Sequence, residues 1–141
     1  MKKNKFMSKF DWRGLDLREE DLRNMDLEFV DLRGADLRGV DLSGLDLRGM
    51  DFTLANLEGA KLIFTNLEGA CFWRANLRGA ILRLANLKVA DLREANLEEA
   101  DLTHADLWGA NLRGANFFGI RLNYKQEKEF IRGLGIRFSA P

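Results

Sequence analysis

Between Phe10 and Tyr124 a large apolar side chain returns at every fifth residue without one insertion or deletion, and that period constrains the fold more than any other feature. The 115 residues divide into 23 pentapeptides. The third position is Leu in 19 of them, with Trp12, Phe52, Phe72 and Phe117 in the rest. The second position is Asp or Asn in 19, the exceptions being Lys61, Cys71, Ile81 and Arg121. The first position is most often Ala and the fifth most often Gly.

An α-helix turns about 500° over five residues, so successive leucines would walk about 140° around its axis and never form one stripe. A straight strand alternates with period two, which sends residues five apart to opposite faces. Every leucine can face inward only where the chain bends once per repeat, so that each pentapeptide is one side of a solenoid. Asp and Asn before the inward residue suit such bends because their side chains bond nearby backbone N–H groups. Gly at the corner relaxes the steric limits on the turn.

The runs Ala55-Asn56-Leu57-Glu58-Gly59, Ala75-Asn76-Leu77-Arg78-Gly79 and Ala110-Asn111-Leu112-Arg113-Gly114 closely resemble the pentapeptide-repeat family, whose motif is A(D/N)LXX. The resemblance implies an all-β solenoid, a right-handed quadrilateral β-helix in which four pentapeptides complete one coil. The residues themselves also favour four sides. At a step of 20, Glu28, Arg48, Glu68 and Lys88 make a column of alternating charge, Lys61 lies beside Asp41, and Arg121 lies beside Asp101. At about 4.8 Å per coil, about 5.75 coils give a rod about 28 Å long.

The organisation expected is an N-terminal segment 1–9, a repeat domain 10–124, and a C-terminal segment 125–141. Inward first positions are bulky at the start (Phe10, Leu15, Met25, Val30, Val40, Leu45, Met50) and almost uniformly Ala from Ala55. The first coils should therefore be wider or less regular, with Glu20 at the open end. Open solenoid ends expose core and unpaired backbone. Phe6 and Met7 are expected over the first coil. The good helix formers after Lys125, with Phe130, Ile131 and Leu134 at helical spacing, predict a short helical cap over the last coil. Trp108, Phe118 and Tyr124 form a loose apolar group that this helix is expected to cover. In the family such a terminal segment can also join two rods, so a homodimer through the C-terminal end is the companion expectation.

The residue inventory leaves little room for chemistry. His104 is the only histidine, which excludes a multi-His metal site, and Cys71 has no partner for a disulfide and no evident base beside it. No phosphate-binding, dinucleotide or calcium-loop motif occurs. No enzyme, metal or cofactor is expected. No run approaches the roughly 20 apolar residues of a membrane span, and MKKNKFMSKF lacks the apolar stretch of a secretory signal, so the expectation is a cytoplasmic protein without membrane insertion.

Charge then sorts the binding readings. Lys and Arg total 22 against 22 Asp and Glu, so the net charge is zero and direct nucleic-acid binding is not expected. Some family members imitate duplex DNA and bind DNA gyrase, protecting it from quinolones. Residues 10–54 carry a net charge of −6 and residues 55–124 a net of zero, whereas duplex DNA would present about 16 charges over this length at about one per 1.7 Å. The mimic reading therefore rests on one acidic face, with Asp11, Asp16, Asp31, Asp36 and Asp51 as its candidates. The plainer reading is that these carboxylates serve the corners and are neutralised by Arg13, Arg18, Arg33 and Arg38. An outward apolar cluster stands out more: Ile63, Phe64, Ile81 and Leu84 on one face, with Leu54 and Trp73 expected on the face before it. The sequence thus supports a non-catalytic interaction scaffold binding a protein partner. The alternatives are a gyrase-binding mimic and a structural spacer or accessory subunit.

Overall fold

The chain is described by a computed structural model over residues 11–27 and 30–133, with side chains through residue 128. Phe6, Met7, Phe10, Glu28 and Leu134, and the side chains of Phe130 and Ile131, lie outside the described residues, so the expectations placed on them are untouched.

From Asp36 onward, parallel bridges join every second-position residue to the one 20 residues later, as they also join Asp11 to Asp31 and Asp16 to Asp36. Examples are Asp36 with Asn56, Asn56 with Asn76, Lys61 with Ile81, and Asp101 with Arg121. The pentapeptides are thus the sides of a four-sided coil. Face 1 runs through Asp11, Asp31, Asp51, Cys71, Asp91 and Asn111. Face 2 runs through Asp16, Asp36 and Asn56 to Asn116, face 3 through Asp41, Lys61, Ile81, Asp101 and Arg121, and face 4 through Asp46, Asn66, Asn86 and Asp106. Each side gives the ladder three backbone bonds. Leu57 N–H donates to Asn76 O at 2.7 Å, Gly59 N–H to Arg78 O at 2.9 Å, and Asn76 N–H to Ala55 O at 2.9 Å.

The corners explain the column rules. The first residue of each repeat donates its N–H back to the third residue before it, as Ala60 does to Leu57 O at 3.0 Å, closing a β-turn. From Gly34 to Gly119 its second central residue has φ between +50° and +74°, the positive sign a type II turn demands, whereas Glu19 and Asn24 in the irregular first coil do not. The Asp or Asn at the second position accepts the N–H two residues on. Asp31 Oδ1 does this for Arg33 at 3.1 Å, and Asn76 Oδ1 for Arg78 at 3.1 Å. Where Lys61 replaces that acceptor, the Ile63 N–H turns instead to Ser43 Oγ of the coil before, at 3.3 Å.

First and third positions fill the interior, and Leu32 through Leu102 in the third column are buried throughout. Phe52 and Phe72 stack inside face 1 with centroids 5.0 Å apart and planes 7° from parallel. That separation is the ladder's own coil spacing. Thr65, where neighbours have Ala, is fully buried and donates its hydroxyl to Leu42 O at 3.0 Å.

The first coil is the irregular one. A 3₁₀ turn at Leu22–Asn24 interrupts face 3, and no bridge joins Asp21 to Asp41, Asp26 to Asp46 or Asp31 to Asp51. The bulky inward Met25 and Val30 flank this stretch. Glu20 is half-buried beside it.

At the other end the coil stops at α1, Tyr124–Gly133. Asn123 and Gln126 form a reciprocal capping box: Gln126 N–H donates to Asn123 Oδ1 and Asn123 N–H to Gln126 Oε1, both at 2.9 Å. The same Gln126 carboxamide imitates the missing next coil. In the regular ladder Asp106 N–H donates to Ala85 O, so a continuing coil would present the N–H of residue 126 to Ala105 O. Gln126 Nε2 donates there instead at 2.8 Å, and to Leu102 O at 2.7 Å. Its Oε1 accepts the His104 N–H at 2.9 Å, a donor that the ladder would have sent to a backbone carbonyl.

Gln126→Ala removes a group that satisfies two donors and two acceptors at the open end, and net hydrogen-bond values imply a loss of about 2–3 kcal/mol. Urea unfolding is expected to show that loss, with amide exchange at His104 accelerating more than at Leu84. Gln126→Glu keeps the acceptor oxygen but sets a carboxylate against two carbonyls, so it is expected to be at least as damaging.

Candidate functional site

The N-terminal half of the surface is an ion-pair lattice. Arg13, Arg18, Arg33, Arg38 and Arg48 each fold back on the Asp two residues before. Arg18, for example, donates Nε to Asp16 Oδ1 at 2.8 Å and an η nitrogen to Asp16 Oδ2 at 2.6 Å. Links along the rod reinforce the pairs, Arg13 reaching Asp31 at 3.8 Å and Arg18 reaching Asp36 at 3.5 Å. The Arg13 and Arg18 side-chain hydrogen bonds, with their backbone N–H groups, hold the Asp11 and Asp16 carboxyls down at about 2. Asp31, Asp36 and Asp46 are lowered for the same reason. Four of the five acidic-face candidates, Asp11, Asp16, Asp31 and Asp36, thus spend both oxygens on arginine. Asp51 accepts the Thr53 N–H at 2.9 Å. Towards the C-terminus face 2 carries an amide ladder instead, Asn76 donating to Asn56 at 3.1 Å and Asn116 to Asn96 at 3.1 Å.

The apolar cluster divides. Leu54 and Trp73 share face 1 with Asp51 and Cys71, whereas Ile63, Phe64, Ile81 and Leu84 share face 3 with Lys61. Face 2 lies between them, so the expected adjacency of Leu54 and Trp73 to the other four is corrected: the two groups occupy opposite sides. The error was one of counting, since faces 54–73 and 63–84 differ by two steps of five in a coil of four.

The two sides are covered differently, although Leu54 on face 1 is itself 58% exposed. Trp73 is half-buried, with the Arg74 guanidinium 4.6 Å from its ring centroid, and Arg74 is itself held by Glu94 at 2.6 Å. On face 3, Phe64 is 66% exposed and Leu84 42%, while Ile63 and Ile81 are half-buried beneath them.

Backbone strain marks the same places. Most corner residues with positive φ are Gly, but Leu54, Phe64, Arg74, Leu84, Val89, Glu94, Glu99 and His104 also stand there, with φ between 50° and 62°. A non-glycine residue in this region costs roughly 1–2 kcal/mol. Phe64, Leu84 and His104 stack at one corner, Leu54, Arg74 and Glu94 at the diagonally opposite one. Sequence reasoning took these positions as merely outward; their departure from Gly at the fifth column was the signal of strain.

The remaining candidates are placed as follows. Trp108, Phe118 and Tyr124 are 73, 74 and 72% exposed, so the expected covering by α1 does not occur. The helix is tied through Gln126 to the corner between faces 3 and 4, whereas Trp108 and Phe118 stand at fourth positions and point away from the sides. Tyr124 instead lies 4.3 Å from the Lys128 ammonium. His104 Nδ1 is 3.0 Å from Asn123 Nδ2. Cys71 Sγ lies 3.3 Å from Thr53 Oγ1. Among the described residues no group of three His, Cys, Asp or Glu side chains could hold a metal, and no helix is long and apolar enough to cross a membrane.

These features define a four-sided parallel solenoid with locked ion pairs at one end and an open apolar corner at mid-rod. The pentapeptide-repeats family description matches it in eight copies, over residues 13–44, 35–74 and 74–109, and the chain belongs to that family. The family's right-handed quadrilateral β-helix is the fold described above. The chain is similar to the pentapeptide repeat protein Rfr23 from the cyanobacterium Cyanothece 51142, at 35% identity and a TM-score of 0.52 over 67% of this chain and 61% of that one. It is also similar to HetL, a pentapeptide repeat protein involved in heterocyst differentiation regulation from the cyanobacterium Nostoc sp. strain PCC 7120. That match has 31% identity and a TM-score of 0.50, over 81% of this chain and 62% of that one. The chain therefore spans about three fifths of each. QnrB1, a plasmid-mediated fluoroquinolone resistance protein, is 19% identical with a TM-score of 0.29, covering 74% of this chain and 68% of that one; so distant a likeness carries no argument. No curated protein sequence matches significantly.

Two predictions follow from the surface itself. Phe64→Gly and Leu84→Gly each replace a strained corner residue by the one the turn prefers, and each is expected to raise stability by up to about 1 kcal/mol in urea unfolding, despite removing an apolar side chain. The lowered Asp carboxyls contribute stability that is complete above pH 4 and is lost as pH falls through about 2. Amide exchange between pH 4 and 2 is therefore expected to loosen the coils around Arg13, Arg18, Arg33 and Arg38 before those around Asn76 and Asn96.

Proposed function

We propose that this chain is a non-catalytic interaction scaffold, a rigid rod that binds a protein partner through face 3 at the level of Ile63, Phe64, Ile81 and Leu84. The observation that carries the reading is that Phe64 and Leu84 are exposed apolar side chains held at a corner where Gly would be less strained. Exposed apolar surface on a rigid frame binds with little ordering cost, because the backbone is fixed before the partner arrives. HetL, similar in fold and at 31% identity, is described as involved in the regulation of differentiation, a role compatible with partner binding.

The gyrase-binding mimic is weaker on this geometry. A duplex imitation needs unneutralised negative charge, and the Asp residues on which it would rest are bonded to arginine within their own repeat. The spacer reading leaves the strain at Phe64 and Leu84 without a purpose.

The test compares the wild type with Phe64→Asp/Ile81→Asp and with Asp31→Lys/Asp36→Lys, each checked for folding by circular dichroism. Asp is native to the second column and tolerates the left-handed region, so the first variant is expected to fold. Proteins retained from a bacterial lysate by the wild type are expected to be lost from Phe64→Asp/Ile81→Asp and kept by Asp31→Lys/Asp36→Lys. A gyrase supercoiling titration is expected to show neither inhibition nor quinolone protection. Inhibition that disappears in Asp31→Lys/Asp36→Lys would replace this reading with the mimic.

A further inference from the structure

Face 3 differs from the other faces in its charge as well as its apolar corner. On faces 1, 2 and 4 the cations are, with one exception, taken: Arg13, Arg18, Arg33, Arg38, Arg48, Arg74, Arg78, Lys88 and Arg93 each have a carboxylate oxygen within 4.0 Å. The exception is Arg113. On face 3 only Arg23, at the irregular first coil, is paired in this way, with Asp21 at 3.1 Å. Lys61, Arg83 and Arg121 have no such ion pair among the described residues.

These cations, which Asp41 and Asp101 attract only from beyond ion-pair distance, flank the apolar group. Lys61 and Ile81 are bridged neighbours in the second column, and Arg83 follows Leu82 between Ile81 and Leu84. Asp101, the carboxylate closest in register, accepts the Thr103 N–H and hydroxyl on its Oδ1 at 3.0 and 2.6 Å, and attracts Arg83 and Arg121 only at longer range. Asp41 accepts the Ser43 N–H at 3.0 Å and meets Arg23 at 3.8 Å. Two coils of face 3 thus present apolar anchors between cations that have no carboxylate oxygen within 4.0 Å among the described residues.

We propose that the partner element docking on face 3 is an acidic protein segment, one or two aromatic or aliphatic side chains flanked by Asp or Glu. The anchors would pack on Phe64, Leu84 and the half-buried Ile63, and the carboxylates would meet Lys61 and Arg83. This deepens the scaffold reading and rests on it. A lipid surface or a nucleic acid is disfavoured because both need an extended cationic area. Here Asp41 and Asp101 bound the cationic strip along the rod, one coil to either side of Lys61 and Ile81. Carboxylates on the segment would speed encounter and set its register, while the apolar anchors supply most of the affinity.

The experiment is selection of an unbiased 12-residue phage-displayed peptide library on the immobilised full chain, followed by fluorescence anisotropy with the enriched synthetic peptides. Two variants identify the site without threatening the fold. Phe64→Gly/Leu84→Gly installs the residue the corner prefers, and Lys61→Asn/Arg83→Gln restores the repeat motif at Lys61. Enriched peptides are expected to combine aromatic or aliphatic residues with Asp or Glu, to bind at least tenfold more weakly to each variant, and to weaken between 50 and 500 mM NaCl. Peptides that depend on Phe64 and Leu84 but carry no acidic bias, or that ignore Lys61→Asn/Arg83→Gln, would overturn the acidic-segment proposal and leave the scaffold reading standing. Absence of any peptide dependent on face 3 would overturn both. Phosphatidylserine vesicles and a 20-base-pair DNA duplex are run in parallel, and face-dependent binding of either would also overturn the proposal.

Discussion

Each side of the coil must end after five residues in a corner that turns the chain by about a quarter of a revolution, and throughout the regular coils that corner holds one residue in the left-handed region. Every other regularity serves this closure. The third-position N–H and C=O groups are committed to the neighbouring coils and to the turn. The second-position Asp or Asn holds the approach to the corner through its Oδ1. With closure fixed, residues 20 apart in sequence lie one coil apart, so side chains of like position stack into columns. A column of leucines makes the core, a column of asparagines makes an amide ladder, and alternating Asp and Arg within a repeat make the ion-pair lattice.

The columns divide the labour between stability and recognition. First and third positions are enclosed, so their size is set by the width of the coil. Beside the bulky Met25 and Val30 the ladder loses bridges and a 3₁₀ turn intrudes, whereas Val40, Leu45 and Met50 are accommodated with their bridges intact. Fourth and fifth positions face outward and carry no comparable duty, except that the fifth must accept positive φ. A side chain other than Gly there has a conformational cost, so its presence at Phe64 and Leu84 asks for a return that the coil itself does not supply. Arg74 and Glu94, at the opposite corner, obtain one within the molecule by covering Trp73 and bonding to one another. Phe64 and Leu84 have no such intramolecular cover.

Much of the fold was legible in the sequence because a five-residue period has only one physical solution once helix and straight strand fail. The four-sided register was legible at Lys61 beside Asp41 and at Arg121 beside Asp101, both of which are bridged. The pairing of Asp11 through Asp36 with nearby arginines was legible too, though not that each Arg would return to its own repeat. The site was read less well. Leu54 and Trp73 are expected on the adjacent face but lie on the opposite one, because a difference of about ten residues looks local on the chain but crosses the rod. Trp108 and Phe118 were expected beneath α1 because an apolar group near a helix invites covering. The docking point of α1 depended instead on one hydrogen-bonding side chain, Gln126. Its signal was present as the N-x-x-Q spacing from Asn123, a capping box, but nothing local announces that the same amide would also stand in for the next coil.

A solenoid of this kind is stabilised coil by coil, so outward residues vary without altering the coils beyond their neighbours. Chance departures from the repeat would then scatter along the rod. They are instead concentrated: three of the four second-column exceptions, Lys61, Cys71 and Ile81, fall within 21 residues, and the strained Phe64 and Leu84 lie among them or three residues beyond. The fourth exception, Arg121, shares face 3 with Lys61 and Ile81. The same two coils lose the Asx acceptor, gain exposed apolar side chains and leave Lys61 and Arg83 without a carboxylate oxygen within 4.0 Å among the described residues. Core packing accounts for none of these changes, since Leu62, Leu67, Phe72, Leu77 and Leu82 beneath them remain fully buried and regular. The departures lie at outward positions, which is the distribution the proposed binding face would produce on a frame that is otherwise uniform.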